Sequence, residues 1–190
     1  MRPKSDHPLT QETVCSLAPR FGRALVLGGA RSGKSRAAED LARAAGGPRV
    51  YVATAQAWDA EMADRIARHR ADRGAGWETV EAPRALIPAL RAADCAGAVI
   101  LVDCLTLWLT NVMLAEEDVE AAGAGLVAAL PTLAARLIFV SNEVGMGIVP
   151  DTPLGRRFRD AQGRLNQRMA AACDTVLFVA AGLPLTLKRP

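Results

Sequence analysis

The feature that most constrains the fold is a short apolar segment followed at once by a glycine-rich turn. Residues 24–27 are ALVL, residues 28–35 are GGARSGKS, and an alanine-rich stretch then runs to about Ala45. The turn matches G-x-x-x-x-G-K-[ST], which is the pattern of a phosphate-binding loop (P-loop) between a buried strand and a helix. Its glycines let backbone N–H groups approach an anion, and the helix N-terminus adds a partial positive charge. This context favours a nucleotide site over an ordinary glycine-rich turn.

Short apolar runs alternate with longer helical patterns along the rest of the chain. The apolar runs show no polar alternation, which indicates strands buried on both faces of a mostly parallel sheet. The sequence therefore predicts an α/β fold in which helices flank the sheet and ligands bind at the carboxyl ends of the strands. Predicted strands cover residues 24–27, 50–53, 77–81, 98–102, 137–140, 176–179 and 185–187; predicted helices cover 35–45, 59–73, 86–93 and 154–173, with helical segments over 105–136 interrupted near Gly123, Gly125 and Pro131.

The composition predicts one globular domain. The chain has 190 residues, of which 51% are hydrophobic and 23% charged. Residues 1–22 are polar and proline-containing, and we expect a flexible tail before a single domain at 23–190. No apolar run is long enough for a membrane span, and the N-terminus has no apolar signal segment, so we expect a cytoplasmic protein. The net charge of +3 does not indicate nucleic-acid binding, and the four cysteines lack the spacing of a zinc site or disulfide framework.

The residues around the bound phosphates follow from the P-loop pattern. Lys34 is expected to reach the β- and γ-phosphates, and the Ser35 hydroxyl is expected to bind Mg²⁺. Asp103 directly follows the strand predicted at 98–102, where P-loop proteins place a carboxylate that holds Mg²⁺ directly or through water. The alternative is that Asp103 caps the helix that begins near Leu105.

Four segments together resemble one enzyme family. They are GGARSGKS at 28–35, YVATAQAWDAEMADRIARHRADR at 51–73, LVDCLTLWLTN at 101–111 and SNEVGMGIVPDTPLGRRFRDAQGRLNQRMA at 141–170. The family is the adenosylcobinamide kinase/adenosylcobinamide-phosphate guanylyltransferase of cobalamin biosynthesis, and the resemblance spans about residues 24–188. The strings NEVGMGIVP and GRLNQ are not general features of P-loop proteins, which makes the resemblance specific.

The resemblance implies a RecA-like P-loop NTPase fold and two reactions. ATP or GTP phosphorylates the terminal hydroxyl of the aminopropanol arm of adenosylcobinamide. GTP then donates GMP to a histidine, and the GMP passes to the phosphorylated cobinamide. The resemblance also implies a homotrimer with active sites between subunits.

The guanylylated histidine of the family falls in the segment that contains His69. The other histidine of the chain, His7, lies in the predicted tail. A neutral imidazole is a nucleophile near pH 7, and neighbouring arginines disfavour the imidazolium and neutralise charge on the attacked phosphate. On a helix, however, Met62, Ile66 and His69 would share one face, so the residues alone also fit a histidine packed beside an apolar stripe.

Other predicted contacts are weaker, because exposed polar residues at these positions would look the same. By resemblance Glu81 helps to hold the guanosine, Glu143 follows the strand at 137–140 and is expected to polarise water or substrate, and Arg156, Arg157 and Arg159 face either solvent or the cobinamide phosphate. The predicted catalytic residues are Lys34, His69 and Asp103; the nucleotide-binding residues are Gly28, Gly29, Ala30, Arg31, Ser32, Gly33, Lys34, Ser35, Ala53, Thr54, Ala55, Arg70, Ala71, Asp72, Arg73, Glu81 and Asp103; and the metal-binding residues are Ser35 and Asp103.

Two other functions compete with the bifunctional enzyme. One is a P-loop kinase of small molecules that forms no covalent intermediate. The other is a nucleotide switch of the GTPase kind, which usually carries N-K-x-D and D-x-x-G strings. The sequence has neither, and Asp103 is followed by Cys-Leu-Thr, so the switch is disfavoured.

Overall fold

A mostly parallel sheet forms the centre of the protein. The computed structural model describes residues 21–56, 64, 67, 71 and 73–189. Within these residues the strands are β1 (Arg23–Gly28), β2 (Arg49–Ala53), β3 (Glu78–Glu81), β4 (Val99–Asp103), β5 (Arg136–Asn142), β6 (Thr175–Ala180) and β7 (Leu183–Lys188). They form one sheet in the order β3-β2-β4-β5-β1-β6-β7. Every neighbouring pair is parallel except β6 with β7, which confirms the predicted parallel sheet.

Helices cover both faces of this sheet. They are α1 (Lys34–Ala45), α2 (Leu86–Ala93), α3 (Leu105–Leu114), α4 (Val119–Ala129), which a 3₁₀ turn (Leu130–Thr132) follows, and α5 (Pro153–Ala172). Helix α1 packs on one face, and α2 to α5 pack on the other. In β1, Ala24 and Val26 face α1 whereas Leu25 and Leu27 face the opposite layer, which is why this strand is apolar throughout. None of the helices in the described part of the chain is both long and apolar enough to cross a membrane.

The connection between β4 and β5 differs from the prediction in where its helices break. The predicted interruption near Gly123 and Gly125 is wrong, because α4 runs through both residues. Gly123 lies so close to α5 that an added Cβ would be 3.3 Å from Leu165 Cδ1, so packing explains this glycine. The break comes earlier, after α3, and α4 starts where the Asp118 side chain accepts hydrogen bonds from the amides of the first helical turn.

The start of the folded domain also differs from the prediction. Phe21 is 3% exposed and packs in the core on the α1 side of the sheet. The Asp174 carboxylate accepts hydrogen bonds from the amides of Gly22 (2.9 Å) and Arg23 (3.0 Å). Phe21 and Gly22, which we placed in the tail, therefore belong to the domain; the remaining predicted tail, residues 1–20, lies outside the described residues.

Two glycines provide a matched test of this fold. Gly47 has a φ of +83°, and a Cβ there would overlap the carbonyl oxygen of Gly97. Gly163 lies inside α5, and a Cβ there would meet nothing within 4 Å. We expect Gly47→Ala to lower the free energy of unfolding by about 2 kcal/mol or more, and Gly163→Ala to raise it by about 0.5–1 kcal/mol. Urea denaturation followed by circular dichroism measures both; equal effects of the two substitutions would contradict the assignment.

Candidate nucleotide-binding site

The predicted site residues meet at the carboxyl ends of neighbouring strands. Gly28 ends β1 and pairs with Asn142 of β5. Ala53 ends β2 and pairs with Asp103 of β4 on one side and with Glu81 of β3 on the other. Residues from five strands thus share one edge of the sheet, formed by the carboxyl ends of the strands, which is where ligands bind in open parallel sheets.

The P-loop turns tightly because its first glycine has no side chain. A Cβ on Gly28 would lie 2.6 Å from the carbonyl oxygen of Val179 and closer still to Ser32 Oγ. The amide of Ser32 donates to the Gly29 carbonyl (3.3 Å), and the Ser32 carbonyl accepts from the amide of Gly182 (2.8 Å). Ser32 Oγ is buried and has no hydrogen-bond partner. A buried hydroxyl without a partner is costly, so this atom fits a site that a polar ligand completes.

Lys34 is placed inside this loop. Its side chain is 9% exposed, and Nζ donates a hydrogen bond to the Gly29 carbonyl (3.1 Å) at the opposite side of the turn. Lys34 is also the first residue of α1, whose first turn carries no acidic residue and no side-chain cap. The helix dipole, the backbone N–H groups at the N-terminus of α1 and the Lys34 charge therefore act on the same space. This arrangement binds phosphate.

Asp103 lies at the end of β4 and is held by a tyrosine. The Tyr51 hydroxyl donates a hydrogen bond of 2.7 Å to Asp103 Oδ2. Burial, together with the nearby Asp103 charge, raises the pKa of Tyr51, so this hydroxyl keeps its proton at neutral pH. Helix α3 starts after Cys104 with no side-chain cap, so Asp103 does not cap it. The structure thereby removes the alternative role that the sequence left open.

Glu39 is a carboxylate near the site that sequence reasoning missed. It lies in α1 one turn after Ser35, a spacing that places the two side chains on one face of the helix. Burial raises the pKa of Glu39, the hydrogen bond from Arg43 opposes that shift, and the charge of Asp103 adds to it. The Asp103 charge therefore acts on Glu39 across the space between the end of β4 and α1.

Thr54 has a structural role, and its predicted contact with the nucleotide stays a prediction. Its side chain is fully buried, and Oγ1 both accepts from the Cys104 amide and donates to the Cys104 carbonyl, each at 2.8 Å. The Thr54 carbonyl accepts from Asn111 Nδ2 (2.8 Å). We therefore assign Thr54 to holding the turn after β4 in place. Burial raises the pKa of the adjacent Cys104 thiol to about 11, which leaves it unreactive at neutral pH.

The Arg73 side chain also makes contacts within the protein. It is 6% exposed, and its guanidinium lies 3.5 Å from the centre of the Tyr51 ring. Its Nη2 donates to Thr79 Oγ1 (3.1 Å), and its carbonyl accepts from Arg43 Nη2 (3.2 Å). These contacts hold Arg73 against β2 and β3, and its predicted contact with the nucleotide stays a prediction. Three other predicted residues, His69, Arg70 and Asp72, lie outside the described residues.

The remaining predicted residues stay at the surface of the edge. Ala30 and Arg31 are exposed at the tip of the P-loop, where Arg31 has a φ of 55°. Glu81 is exposed at the end of β3. Ala53 and Ala55 are half-buried at the end of β2, and Ala71 is exposed. These positions leave their predicted nucleotide contacts open.

The sequence matches the family model described as cobinamide kinase / cobinamide phosphate guanyltransferase over residues 24–187. The chain belongs to this family. The match covers the sheet except for its first and last residues, and it includes every strand end described above.

Curated relatives of this kinase/guanyltransferase family agree with the assignment. The bifunctional adenosylcobalamin biosynthesis protein CobP of Pseudomonas aeruginosa is 52% identical over 168 residues, which cover 87% of this chain and 97% of the relative. The corresponding protein CobU of Salmonella typhimurium is 43% identical, over 86% of this chain and 98% of the relative.

Solved structures with distant sequences share the fold. The type III secretion ATPase EscN of enteropathogenic E. coli aligns with a TM-score of 0.54 at 11% identity, over 85% of this chain and 43% of the other. A protein of Pyrococcus horikoshii, PH0250, aligns with a TM-score of 0.52 at 9% identity, over 95% and 92% of the two chains. The likeness to the EscN ATPase, together with the parallel sheet and its P-loop, confirms the predicted RecA-like P-loop fold of this family member.

A second set of contacts holds the start of the family-specific string at residues 142–150. The Glu143 amide donates to the Gly28 carbonyl (3.1 Å), and Glu143 Oε1 accepts from the amide of Gly145 (2.6 Å). Asn166 of α5 donates to the Asn142 carbonyl (3.1 Å). Its side-chain oxygen also accepts hydrogen bonds from Ser141 and Gln162, and these three side chains are buried. Glu143 is thus placed beside the first residue of the P-loop.

The first glycine of the P-loop tests this geometry. Gly28→Ala should abolish nucleotide binding, because the new methyl group overlaps Ser32 and the Val179 carbonyl and opens the turn. Gly163→Ala in α5 is the control, since a Cβ there meets nothing within 4 Å, and it should bind within about twofold of the wild-type affinity. Isothermal titration with GTP measures both; loss of binding in both variants alike would contradict the steric argument.

Proposed function

We propose that this chain catalyses both reactions at this one edge of the sheet. The first transfers a phosphoryl group from ATP or GTP to the aminopropanol hydroxyl of adenosylcobinamide. The second transfers GMP from GTP to the resulting phosphate through a guanylyl-histidine at His69, giving adenosylcobinamide-GDP. The observation that carries the proposal is the buried Lys34 in a P-loop at the sheet edge that also carries Asp103, in a chain that matches the family over nearly its whole length.

In the kinase step the protein binds and positions the triphosphate. The backbone amides of residues 28–35 surround the β- and γ-phosphates, and Lys34 neutralises charge that develops as the bond between the γ-phosphorus and the bridging oxygen breaks. The cobinamide hydroxyl oxygen forms the new bond to phosphorus, and the nucleoside diphosphate leaves. Glu143, held beside the P-loop, is the group that we assign to orienting the hydroxyl.

The donors at the edge fit a magnesium ion. Among the described residues no cluster of three or more His, Cys, Asp or Glu side chains would hold a metal by itself. Mg²⁺ is usually held by one or two carboxylates together with substrate phosphates, and it prefers oxygen ligands. The Ser35 hydroxyl and the Asp103 carboxylate supply such oxygens, with Glu39 close by. When bound, the ion would neutralise phosphate charge, and Ser35 and Asp103 are the residues that would hold it.

In the transferase step His69 is the proposed nucleophile. An imidazole nitrogen attacks the α-phosphorus of GTP and pyrophosphate leaves, which gives a phosphoramidate. An oxygen of the cobinamide phosphate then attacks the same phosphorus and releases His69. The family membership supports this assignment, since His69 is the one histidine within residues 24–187. The homotrimer and the cytoplasmic location stay predictions.

The kinase half is tested at Lys34. Lys34→Ala removes the charge at the phosphates and should lower the rate of cobinamide phosphorylation by about a thousandfold, as for loss of a main electrostatic group in phosphoryl transfer. Arg36→Ala, an exposed cation on the same helix, is the control and should retain the wild-type rate. The measurement is transfer of label from γ-labelled ATP or GTP. A near-normal rate in folded Lys34→Ala would refute the role of Lys34.

The covalent half is tested with α-labelled GTP. Wild-type protein should acquire label that is lost in acid and survives alkali, which is the behaviour of a P–N bond and not of a serine ester. His69→Ala should acquire none and should fail to transfer GMP, yet it should keep part of its kinase activity, because that step needs no covalent intermediate. His7→Ala is the control and should be labelled normally.

The same experiment separates the proposal from its main competitor. A P-loop kinase without a covalent step would show no label on wild-type protein. Label on His69→Ala would mean that another residue is the nucleophile. Equal loss of both activities in folded His69→Ala would show that His69 is not specific to guanylyl transfer.

A further inference from the structure

Tyr51 contacts two parts of the site that belong to different steps of the proposed function. Its hydroxyl donates to Asp103 Oδ2 at 2.7 Å, and the face of its ring lies 3.5 Å from the Arg73 guanidinium. The side chain is 7% exposed, so neither contact is a chance encounter at the surface. Tyr51 is in the middle of β2, directly beside Thr79 of β3 in the parallel register.

The hydroxyl contact sets the direction of the Asp103 carboxylate. Tyr51 and Asp103 lie on neighbouring strands and are offset by two residues along the strand direction, because Tyr51 pairs with Leu101 and Ala53 pairs with Asp103. Side chains at this spacing point to the same face of a sheet. The hydrogen bond engages Oδ2 and so restricts the rotation of the carboxylate, which fixes where the second oxygen, Oδ1, lies. Groups that orient a ligating carboxylate in this way change metal affinity when removed.

The ring contact holds the end of the segment that precedes β3. Arg73 lies over Tyr51, and its Nη2 donates to Thr79 Oγ1 on the neighbouring strand at 3.1 Å. Trp77 also contacts the Tyr51 ring, perpendicular to it with the ring centres 6.1 Å apart, and the Arg49 guanidinium lies 5.6 Å from the centre of the Trp77 ring. Cation–π contacts that are shielded from water are the stronger ones. In the sequence, Arg73 follows His69 by four residues.

We propose that Tyr51 is a positioning residue for both steps: its hydroxyl orients the carboxylate that would serve the phosphate-bound metal, and its ring holds Arg73, which follows the proposed guanylyl acceptor His69 by four residues in the sequence. The inference rests on the proposed function for the identity of the two steps. It adds a residue that has no reacting atom of its own. The hydroxyl and the ring of Tyr51 thus have separate effects, the first on the Asp103 carboxylate and the second on Arg73.

The hydroxyl is tested by Tyr51→Phe, which keeps the ring. The affinity of Mn²⁺ for the complex with a non-hydrolysable GTP analogue, followed by electron paramagnetic resonance, should fall about tenfold. The affinity for the analogue in EDTA should stay within twofold, whereas a general loss of structure would lower both affinities together. In an Asp103→Asn background the same substitution should change Mn²⁺ affinity by less than twofold. Unchanged Mn²⁺ affinity, or an equal loss with and without metal, overturns the proposal.

The anchor is tested by Thr79→Val, which removes one hydrogen bond of Arg73 and keeps the size of the side chain. Labelling by α-labelled GTP at saturating Mg²⁺ should slow several-fold, while Mn²⁺ affinity stays at the wild-type value; Tyr51→Phe should show the reverse pattern. Tyr51→Leu, which loses both contacts, should show both defects. If Thr79→Val and Tyr51→Phe share the same defects, the two contacts are not separable and the proposal is wrong.

Failure of the proposed function gives a different result. If wild-type protein takes no label, the histidine mechanism fails, but Mn²⁺ binding still reports on the hydroxyl. Amide hydrogen exchange then reports on the anchor: exchange at Arg73 and in the adjoining residues up to Trp77 should be faster in Thr79→Val and Tyr51→Leu and unchanged in Tyr51→Phe. Equal exchange in all four proteins overturns the anchor.

Discussion

The parallel register of β1, β5, β4 and β2 is the constraint on which the site depends. These strands are buried on both faces, so a slip of one residue would exchange the side chains that face α1 with those that face the opposite layer. With the register fixed, Gly28 lies beside Asn142, and Asp103 lies between Val140 and Ala53. Polar groups from distant parts of the sequence therefore lie side by side without needing favourable contacts with one another. Burial of the apolar core fixes the register and so holds these groups at the carboxyl ends of the strands.

The sequence was sufficient to predict those parts of the fold that depend on local pattern. Each apolar run became a strand, and the strand–turn–helix at the P-loop was predicted to within a residue, since helix α1 starts at Lys34. The predictions are wrong where the presence of one residue type has two possible explanations. Glycine marks a break in a helix or a close packing contact, and at Gly123 the second cause operates, through Leu165 of a helix that is remote in sequence. Phe21 was assigned to a tail because its partners come from strands that follow much later.

The candidate site was predictable in its residue types but less so in their roles. Lys34 and Asp103 belong to the pattern of P-loop proteins, which predicts the role of each residue. Thr54, Arg73 and Tyr51 carry no such pattern, because their roles come from contacts with Cys104, with an aromatic face and with a carboxylate 52 residues away. A polar residue at the end of a strand has the same local sequence whether it faces a ligand or holds a turn. Its burial and its partners, which only the fold provides, distinguish these cases; the role of His69 itself stays a prediction.

The two strings that made the family resemblance specific are joined by the fold. Asn166, in the string at 163–167, donates to the carbonyl of Asn142, which opens the string at 142–150. Apolar residues of similar volume would serve a core at least as well as buried polar ones, so stability does not explain the bonded set of Ser141, Gln162 and Asn166. Its consequence is geometric: it fixes the backbone of Asn142, and the next amide, of Glu143, donates to the Gly28 carbonyl. Helix α5 is therefore connected to the P-loop by two hydrogen bonds, one from the Asn166 side chain to the Asn142 carbonyl and one from the Glu143 amide to the Gly28 carbonyl. Asn166 itself is buried.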